Sequence, residues 1–225
     1  MMANPKPQKN TLFAEFARVG KALSNPIRLE LLDLLCQAPR TVETLARLTG
    51  QSTATTSHHL QVLLAARLVS AEKKGLFVTY SPAGDDVCSL WLSLQDLAYN
   101  HLADLRRLAK AYLEETDVYQ TVDRVTLMAQ MRRGEVTLID VRTVEEFEAG
   151  HIPGAVSVPL ERLEEMLPLL PGDRKIVTYC RGPFCILSLK AMKILYGHGR
   201  QVKRLPDGIL QWQAAGLPLQ VGAVK

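Results

Sequence analysis

The sequence predicts two domains of different classes: a mainly helical domain with a β-hairpin over residues 1–115, and an α/β domain with a parallel sheet over residues 116–225. In the first part, apolar residues recur at helical spacing, and two β-rich runs flank a basic turn. In the second part, short apolar runs alternate with helical segments, which is typical of a parallel sheet covered on both faces. The polar segment 114–117 separates the two patterns, and 225 residues suffice for two small domains.

Composition and charge exclude several classes of protein. Hydrophobic residues make up 47% of the chain and charged residues 22%, which is ordinary for globular protein and excludes wholesale disorder. The net charge of +4 permits nucleic-acid binding without requiring it. Four cysteines are too few for a disulfide scaffold, the polar N-terminus lacks the apolar region of a signal peptide, and no apolar run reaches the roughly 18 residues of a membrane helix. We therefore expect a cytoplasmic protein with no membrane contact and no cofactor.

Helix caps and turn residues place the elements of the first part. Asn25 precedes Pro26, a favoured first-turn residue, and Gly50 is suited to end a helix. The basic, glycine-containing turn at residues 73–75 joins two β-rich runs. We expect helices near residues 12–23, 26–36, 41–48 and 53–64, a hairpin over 68–80, and one long helix over about 85–114.

This order of elements is that of a winged helix-turn-helix, in which the second helix of the pair enters the DNA major groove and the hairpin flanks it. Short hydroxyl side chains and glutamine suit phosphates and base edges, and lysines suit phosphates. The candidate DNA-binding residues are Thr53, Thr55, Ser57, His58, Gln61, Lys73 and Lys74. Taken singly, these residues are better explained as a helix cap and a solvated turn. Their order over about seventy residues favours binding to double-stranded DNA.

The first part also resembles the ArsR family of small homodimeric repressors. The matching segments are residues 23–32, the run Thr-Ser-His-His-Leu-Gln-Val-Leu at residues 56–63, and Leu68-Val69 before the hairpin. The resemblance implies a homodimer formed through the first and last helices and a DNA operator as partner. Metal-sensing relatives carry a cysteine pair where this chain has residues 41–44 without a thiol, and His101 with Asp104 is an incomplete set, so we expect no metal site.

Cys36 and Cys88 leave two alternatives open. Some family members sense persulfides with one thiol on the second helix and one on the last, but there the last-helix thiol lies further along. Both cysteines here lie in apolar runs, where a free thiol usually behaves as a small hydrophobic side chain. We expect them to pack in the core separately, with a redox pair as the alternative.

The second part is expected to contain three buried strands, at residues 136–141, 176–179 and 202–205. Helices are expected near residues 143–149, 160–169, 185–197 and 208–215. The second strand ends at Cys180, and a short loop leads from there into a helix. Unpaired backbone N–H groups at a helix N-terminus favour an anion, so we expect the loop amides to point at the Cys180 sulfur and stabilise its thiolate. Arg181 adds positive charge nearby, and Gly182 lets the backbone approach closely.

Three motifs in this part resemble the rhodanese domain: residues 138–159, Tyr179-Cys180, and residues 207–212. The resemblance implies that Cys180 is the nucleophile, which takes sulfur from a small donor and passes it from a persulfide to an acceptor thiol. Asp140, Arg142 and His151 are expected to support the fold. The active-site loop consists of Arg181, Gly182, Pro183, Phe184 and Cys185.

Two loop positions refine this expectation. Phosphatases and arsenate reductases need an arginine six positions after the cysteine to clamp an oxyanion, and position 186 is isoleucine, which disfavours those activities. Cys185 stands where many rhodaneses carry a basic residue, which weakens the case for thiosulfate as donor. Cys185 is either a resolving thiol for Cys180 or a packed side chain at the helix start.

Two functions fit these observations. The first is a homodimeric transcriptional repressor whose second domain senses reactive sulfur or oxidants through Cys180. The alternative is a sulfurtransferase, in which the winged helix serves only for dimerisation or tethering.

Overall fold

The structure, a computed structural model, describes residues 9–75, 77–113 and 120–223, without the side chain of Lys74. The chain divides into two compact units, one ending at Trp91 and the other beginning at Leu92. The predicted boundary between residues 115 and 116 falls in the segment 114–119, outside the described residues, and stays a prediction. The predicted fold class is confirmed: a helical winged unit precedes an α/β unit with a parallel sheet.

Helix caps define the first unit as the sequence predicted. The Asn25 side chain accepts from the Arg28 amide at the start of α2, and the Ser52 side chain accepts from the Thr55 amide at the start of α4. Gly50 ends α3 in the left-handed region, at φ +65°. The elements are α1 (Lys9–Leu23), α2 (Pro26–Gln37), β1 (Arg40–Thr41), α3 (Val42–Thr49), α4 (Thr53–Ala65), β2 (Val69–Lys74), β3 (Phe77–Pro82) and α5 (Asp85–His101).

The hairpin of β2 and β3 forms the wing. The two strands pair antiparallel from Val69 opposite Pro82 to Lys74 opposite Phe77, and β1 adds to the free edge of β3. Leucines from α2, α3 and α4 fill the core beneath the sheet: Leu31, Leu32, Leu35, Leu45, Leu60 and Leu63. Because α4 is anchored through its buried face, its opposite face is left to solvent.

The single long helix predicted for residues 85–114 is wrong in one respect. The structure contains two helices, α5 and α6 (Ala103–Leu113), with Leu102 between them. The Arg106 guanidinium donates to the carbonyl oxygens of Tyr99 (3.0 Å) and Asn100 (2.6 Å), which amides of the next turn would take in a continuous helix. Asn100 and His101 are also weak helix formers, so the sequence permits a break here.

The expectation that Cys36 and Cys88 pack as separate thiols is also wrong. The two residues form a disulfide between the end of α2 and the start of α5, with Cα atoms 5.7 Å apart. The two cysteines are 52 residues apart in sequence, so sequence spacing could not predict how close their Cα atoms lie. The bond closes a long loop within the first unit.

In the second unit, four parallel strands form a sheet of order β5-β4-β6-β7. The strands are β4 (Val136–Asp140), β5 (Val156–Ser157), β6 (Lys175–Tyr179) and β7 (Val202–Arg204). The helices after α6 are α7 (Arg124–Arg132), α8 (Val144–Ala149), α9 (Leu163–Met166), α10 (Leu187–Gly197) and α11 (Ile209–Ala214). Sequence analysis missed α7 and the two-residue strand β5. Among the described residues, no helix is both long and apolar enough to cross a membrane.

A buried ion pair orders the turn after β4. The Arg142 guanidinium donates to both carboxylate oxygens of Asp140 and to the carbonyl of Gly150, at 2.6–3.1 Å. His151 stacks on Phe147, and its Nδ1 lies 2.8 Å from the Phe147 carbonyl oxygen. These contacts agree with the fold-supporting roles expected of Asp140, Arg142 and His151.

Candidate functional sites

The recognition helix α4 presents polar side chains on the face opposite its core contacts. Thr53, His58 and Gln61 are exposed and Ser57 is half-buried. Thr53, Ser57 and Gln61 follow one another at intervals of four residues, so they share one helix face. The structure therefore places these predicted residues together.

Thr55 is placed differently from the other residues of this set. Its hydroxyl lies 2.9 Å from the Ser52 hydroxyl, and its amide donates to the Ser52 side chain at 3.1 Å. Its hydroxyl therefore takes part in the helix cap. A DNA contact from Thr55 would compete with this hydrogen bond.

The wing carries the predicted basic turn. Lys73 is exposed on β2 opposite Val78, and Gly75 adopts φ +64° at the tip. This left-handed conformation is natural for glycine and closes the hairpin tightly. The side chain of Lys74 lies outside the described residues.

Cys180 directly follows β6 and is only 1% exposed, so its sulfur is buried beneath the loop. The amide cradle also differs from the expectation. The backbone N–H of Ser188 points to the Cys180 sulfur, whereas those of Arg181 and Leu187 point to the Cys185 sulfur. The loop amides are thus divided between the two thiols.

Burial by itself raises the pKa of Cys180, but hydrogen bonds outweigh it. The Cys180 Sγ lies 3.2 Å from the Ser188 hydroxyl oxygen and contacts the Cys185 thiol, and the nearby Arg204 adds positive charge. Together these lower the pKa of Cys180 to about 6. At neutral pH this makes Cys180 a thiolate, the reactive form of cysteine.

Cys185 is shifted in the opposite direction. Its hydrogen bond with Cys180 and its burial raise the pKa of the Cys185 thiol well above its ordinary value. The Cys185 thiol thus stays protonated and serves as a donor to the Cys180 thiolate. Both cysteines are free in this structure.

Arg181 makes a contact that the sequence did not reveal. Its guanidinium donates to both carboxylate oxygens of the fully buried Glu146, at 2.7 and 3.0 Å. The ion pair joins the loop to α8 and offsets the charge that we expected Arg181 to lend to Cys180. The role of Arg181 in this geometry is to hold the loop.

Sequence analysis missed two residues that belong to the surroundings of the Cys180 sulfur. Ser188 lies in the first turn of α10 and is fully buried with its hydroxyl at the Cys180 sulfur. Arg204, at the end of β7, donates to the Ser188 hydroxyl at 2.9 Å. The predicted strand at residues 202–205 contains two basic residues, Lys203 and Arg204, and the sequence alone did not single out Arg204.

Glycines allow close backbone approach around the loop. A Cβ atom on Gly208 would lie 2.2 Å from the Arg181 carbonyl oxygen, which is too close for any residue with a side chain. Gly182 adopts φ +150° against the Gln211 side chain. The segment preceding α11 therefore packs directly on the loop.

A cavity of about 830 Å³ lies beside the loop within the second unit. Its volume falls in the range of small-molecule sites. Residues of the loop, of α6 and of the end of α5 line it together. Its lining includes Gln95, Asp96, Tyr99, Arg106, Lys110, Pro183, Phe184, Arg204, Asp207 and Gln211.

Comparisons with known families match both parts of the chain. The family described as "Bacterial regulatory protein, arsR family" matches residues 25–71. The family described as "Rhodanese-like domain" matches residues 123–215. The two matches do not overlap, and their order is the one that the sequence predicted.

Individual relatives agree with these matches. An HTH-type transcriptional regulator of Mycobacterium tuberculosis is 45% identical over 222 residues, which cover 99% of this chain and 97% of that protein. A sulfurtransferase of Allochromatium vinosum is 35% identical over 85 residues, 38% of this chain and 78% of that protein. The transcriptional repressor SdpR of Bacillus subtilis is 40% identical over 63 residues, 28% of this chain and 70% of that protein.

Proposed function

The chain belongs to the arsR family of bacterial regulatory proteins and carries a rhodanese-like domain, and from this premise we propose that it is a homodimeric, cytoplasmic repressor that responds to reactive sulfur at Cys180. The observation that supports the sulfur part is a buried Cys180 whose sulfur lies 3.2 Å from the Ser188 hydroxyl and contacts the Cys185 thiol. The similarity to a repressor, SdpR, supports the direction of regulation.

DNA binding rests on the outer face of α4 and on the wing. Thr53, Ser57, His58 and Gln61 reach base edges and phosphates from the major groove, while Lys73 and Lys74 contact phosphates beside it. The exposure of Thr53, His58, Gln61 and Lys73 supports this assignment. The hydroxyl of Thr55 contributes only where it gives up its capping contact.

Dimerisation rests on apolar side chains that the described chain leaves exposed. In α1, Phe13 is 58% exposed and Phe16 is 69% exposed. In α6, Leu108 is 65% exposed. Apolar side chains of this size on successive helical turns are typical of an interface. A second copy of the chain would cover them.

The sulfur step is a displacement at a sulfur atom. The Cys180 thiolate attacks the terminal sulfur of a donor R–S–SH, so that a new S–S bond forms on Cys180 and the donor leaves as R–S⁻. The proton stays on the transferred sulfur, and no external oxidant is needed. An acceptor thiolate then attacks the terminal sulfur of the Cys180 persulfide and restores the Cys180 thiolate. The cavity beside the loop gives donor and acceptor a place to approach.

Coupling to DNA binding runs through the end of α5. The Phe184 ring of the loop lies 5.8 Å from the Tyr99 ring of α5, measured between ring centroids. Adding a sulfur atom to Cys180, which is 1% exposed, requires room beneath the loop. Displacement of Phe184 against Tyr99 would shift α5, the helix that begins in the DNA-binding unit. Allosteric coupling requires two states of the protein with different contacts, and in this proposal the two states differ at the Phe184–Tyr99 ring pair.

The test begins with a DNA ligand selected from random duplexes by the reduced protein. Fluorescence anisotropy then measures the dissociation constant before and after exposure to polysulfide, for wild type and for Cys180→Ser. We expect at least a roughly tenfold loss of affinity in wild type, about 1.4 kcal/mol, and none in the variant. Enrichment of no specific duplex above salt-sensitive background would refute the DNA-binding part. An equal polysulfide response in Cys180→Ser would refute the role of Cys180.

Peptide mass analysis of the same samples decides the role of Cys185. Gain of one sulfur atom on the Cys180 peptide means a stable persulfide. Attack of Cys185 on that persulfide would release hydrogen sulfide and leave a Cys180–Cys185 disulfide, seen as the loss of two hydrogens. A sulfurtransferase, the alternative function, would instead turn over many equivalents of donor under reducing conditions, faster than Cys180→Ser does.

A further inference from the structure

Arg204 connects the strand β7 to the whole of the Cys180 loop. Its Nη2 lies within hydrogen-bond distance of the carbonyl oxygens of Gly182 (3.1 Å), Pro183 (2.9 Å) and Cys185 (3.4 Å). Its Nε donates to the Ser188 hydroxyl oxygen at 2.9 Å. One guanidinium therefore contacts four groups spread over seven consecutive residues.

The backbone of Arg204 is fixed on both sides, which makes this contact set rigid. On one side β7 pairs with β6, with Arg204 in register with Thr178. On the other side the Arg204 amide donates to Gln120 at 3.0 Å, and its carbonyl accepts from the Val122 amide at 2.9 Å. The residue is 6% exposed, so its charge acts in a protein environment where electrostatic interactions are strong.

The hydrogen bond from Arg204 also dictates what Ser188 can donate. A serine hydroxyl has one hydrogen and two acceptor lone pairs. Because Arg204 Nε occupies one lone pair, the Ser188 hydrogen is free to point at the Cys180 sulfur, 3.2 Å away. A Cys180 thiolate has no hydrogen to donate, so the Ser188 hydroxyl is then the donor of this pair and stabilises the thiolate over the neutral thiol.

We propose that Arg204 is a positioning residue for the chemistry of Cys180: it shapes the loop through three carbonyl groups and orients the Ser188 hydroxyl toward the sulfur. The inference rests on the proposed function, since it concerns the same sulfur atom. It adds a buried cation, contributed by a distant strand, to the residues on which reactivity depends. The arginine of the loop itself, Arg181, is paired with Glu146 and does not take this part.

The test is the pH dependence of alkylation of Cys180 by iodoacetamide in the full-length protein, followed on the Cys180 peptide by mass spectrometry. For wild type we expect a midpoint near pH 6. Arg204→Gln should move the midpoint upward by more than one pH unit. The rate at pH 6 then falls about tenfold, while the rates above pH 9 converge, because only the thiolate fraction has changed.

Ser188→Ala provides the second variant, and it should shift the midpoint in the same direction. Since Arg204 acts partly through Ser188, the double variant should shift by less than the sum of the two single shifts. Lys203→Gln is the matched control. It removes one positive charge from the neighbouring position of β7, whose side chain points to the other face of the sheet, and it should leave the midpoint unchanged.

A structural role alone would give a different result. Loss of folding exposes the buried Cys180 and raises the alkylation rate at low and high pH alike, and circular dichroism would report it. If Arg204→Gln fails to fold, the midpoints of Arg204→Lys and Ser188→Ala test the proposal instead. The lysine variant should also raise the midpoint, because a single ammonium cannot contact the Ser188 hydroxyl and the loop carbonyl groups together. A folded Arg204 variant and a folded Ser188→Ala, both with the wild-type midpoint, would overturn the proposal.

This experiment is independent of sulfur sensing. A midpoint that depends on Arg204, in a protein whose DNA affinity ignores polysulfide, would remove the proposed function and keep the inference. A midpoint that Arg204 substitutions leave unchanged, in a protein whose DNA affinity does respond to polysulfide, would refute the inference about Arg204 and keep the proposed function.

Discussion

The recognition helix and the Cys180 loop display their functional groups in opposite ways. In α4, Thr53, His58 and Gln61 are exposed above a leucine core, so that these three side chains are available to a partner without rearrangement. In the loop the reactive sulfur is buried, and its neighbours decide its protonation. The proposed binding to DNA thus depends mainly on an exposed surface of one helix, whereas the proposed sulfur chemistry depends on buried contacts assembled from several elements. Substitutions should reflect this difference in where they act and how strongly.

The largest expected effect concerns the disulfide that stabilises the first unit. Reduction of Cys36–Cys88 removes a constraint on a loop closed by residues 52 apart, which in the chain-entropy treatment lowers the free energy of unfolding by about 4 kcal/mol at most. Urea unfolding with and without dithiothreitol measures this loss in the free energy of unfolding. The Cys36→Ser/Cys88→Ser variant is the control, because it should lose all dependence on the reductant.

That prediction separates the two regions directly. The alkylation midpoint of Cys180 should stay the same when the disulfide is absent, because the contacts of the sulfur lie entirely in the second unit. A shifted midpoint in the double serine variant would show that the first unit contributes to the pKa of Cys180.

The second effect is the dependence of stability on pH. The folded pKa of Cys180, about 6, lies below the value of about 8.5 for an unfolded cysteine, so the native state loses its proton first as pH rises. Stability from this group is therefore fully present above about pH 8.5 and is lost as pH falls through 6. The total contribution of Cys180 to the free energy of unfolding is about 3 kcal/mol.

Urea unfolding at pH 5.5 to 9, for wild type and Cys180→Ser, measures this term as the difference between the two proteins. The difference should grow with pH, with a slope no steeper than about 1.4 kcal/mol per pH unit. A difference that is flat with pH would show that the Cys180 thiol has an ordinary pKa.

The sequence predicted the exposed face of α4 far better than the surroundings of the buried Cys180 sulfur. The residues of α4 are contiguous, and Leu60 and Leu63 identify its buried face, so the outer face followed from helical spacing alone. For the sulfur site, the sequence identified Cys180 and its loop. It did not identify Ser188 and Arg204, because their approach to the sulfur depends on how α10 and β7 pack against β6.

The same reasoning explains the other differences. The Cys36–Cys88 bond and the Arg181–Glu146 pair both join residues far apart in sequence, so spacing carried no information about them. The break at Leu102 depends on a contact from Arg106 to two backbone carbonyl groups, which overrides a continuous apolar pattern. Specific side-chain contacts, which the apolar pattern does not encode, accompany each of these features.

The third effect tests how tightly the loop is packed. Gly208→Ala would place a methyl group on the Arg181 backbone and should cost about 1–3 kcal/mol of stability through forced displacement of the loop. It should also change the rate of Cys180 alkylation. Gly172→Ala is the control, because nothing lies within 4 Å of the added carbon. Equal stabilities of the two variants in thermal unfolding would show that the loop tolerates displacement.

The smallest effect belongs to the exposed region and probes the wing. Lys73→Gln removes an exposed positive charge from β2 while leaving the strand pairing with Val78 intact, so stability should change by less than about 0.5 kcal/mol. If Lys73 contacts a phosphate, the slope of log affinity against log salt should fall in magnitude by about 1, and affinity should weaken equally for all DNA sequences. Gln61→Ala is the matched comparison on α4, since loss of a base contact should weaken the selected duplex more than random DNA and leave the salt slope unchanged. Anisotropy titrations at several salt concentrations measure both variants. A salt slope that Lys73→Gln leaves unchanged would remove Lys73 from the DNA interface.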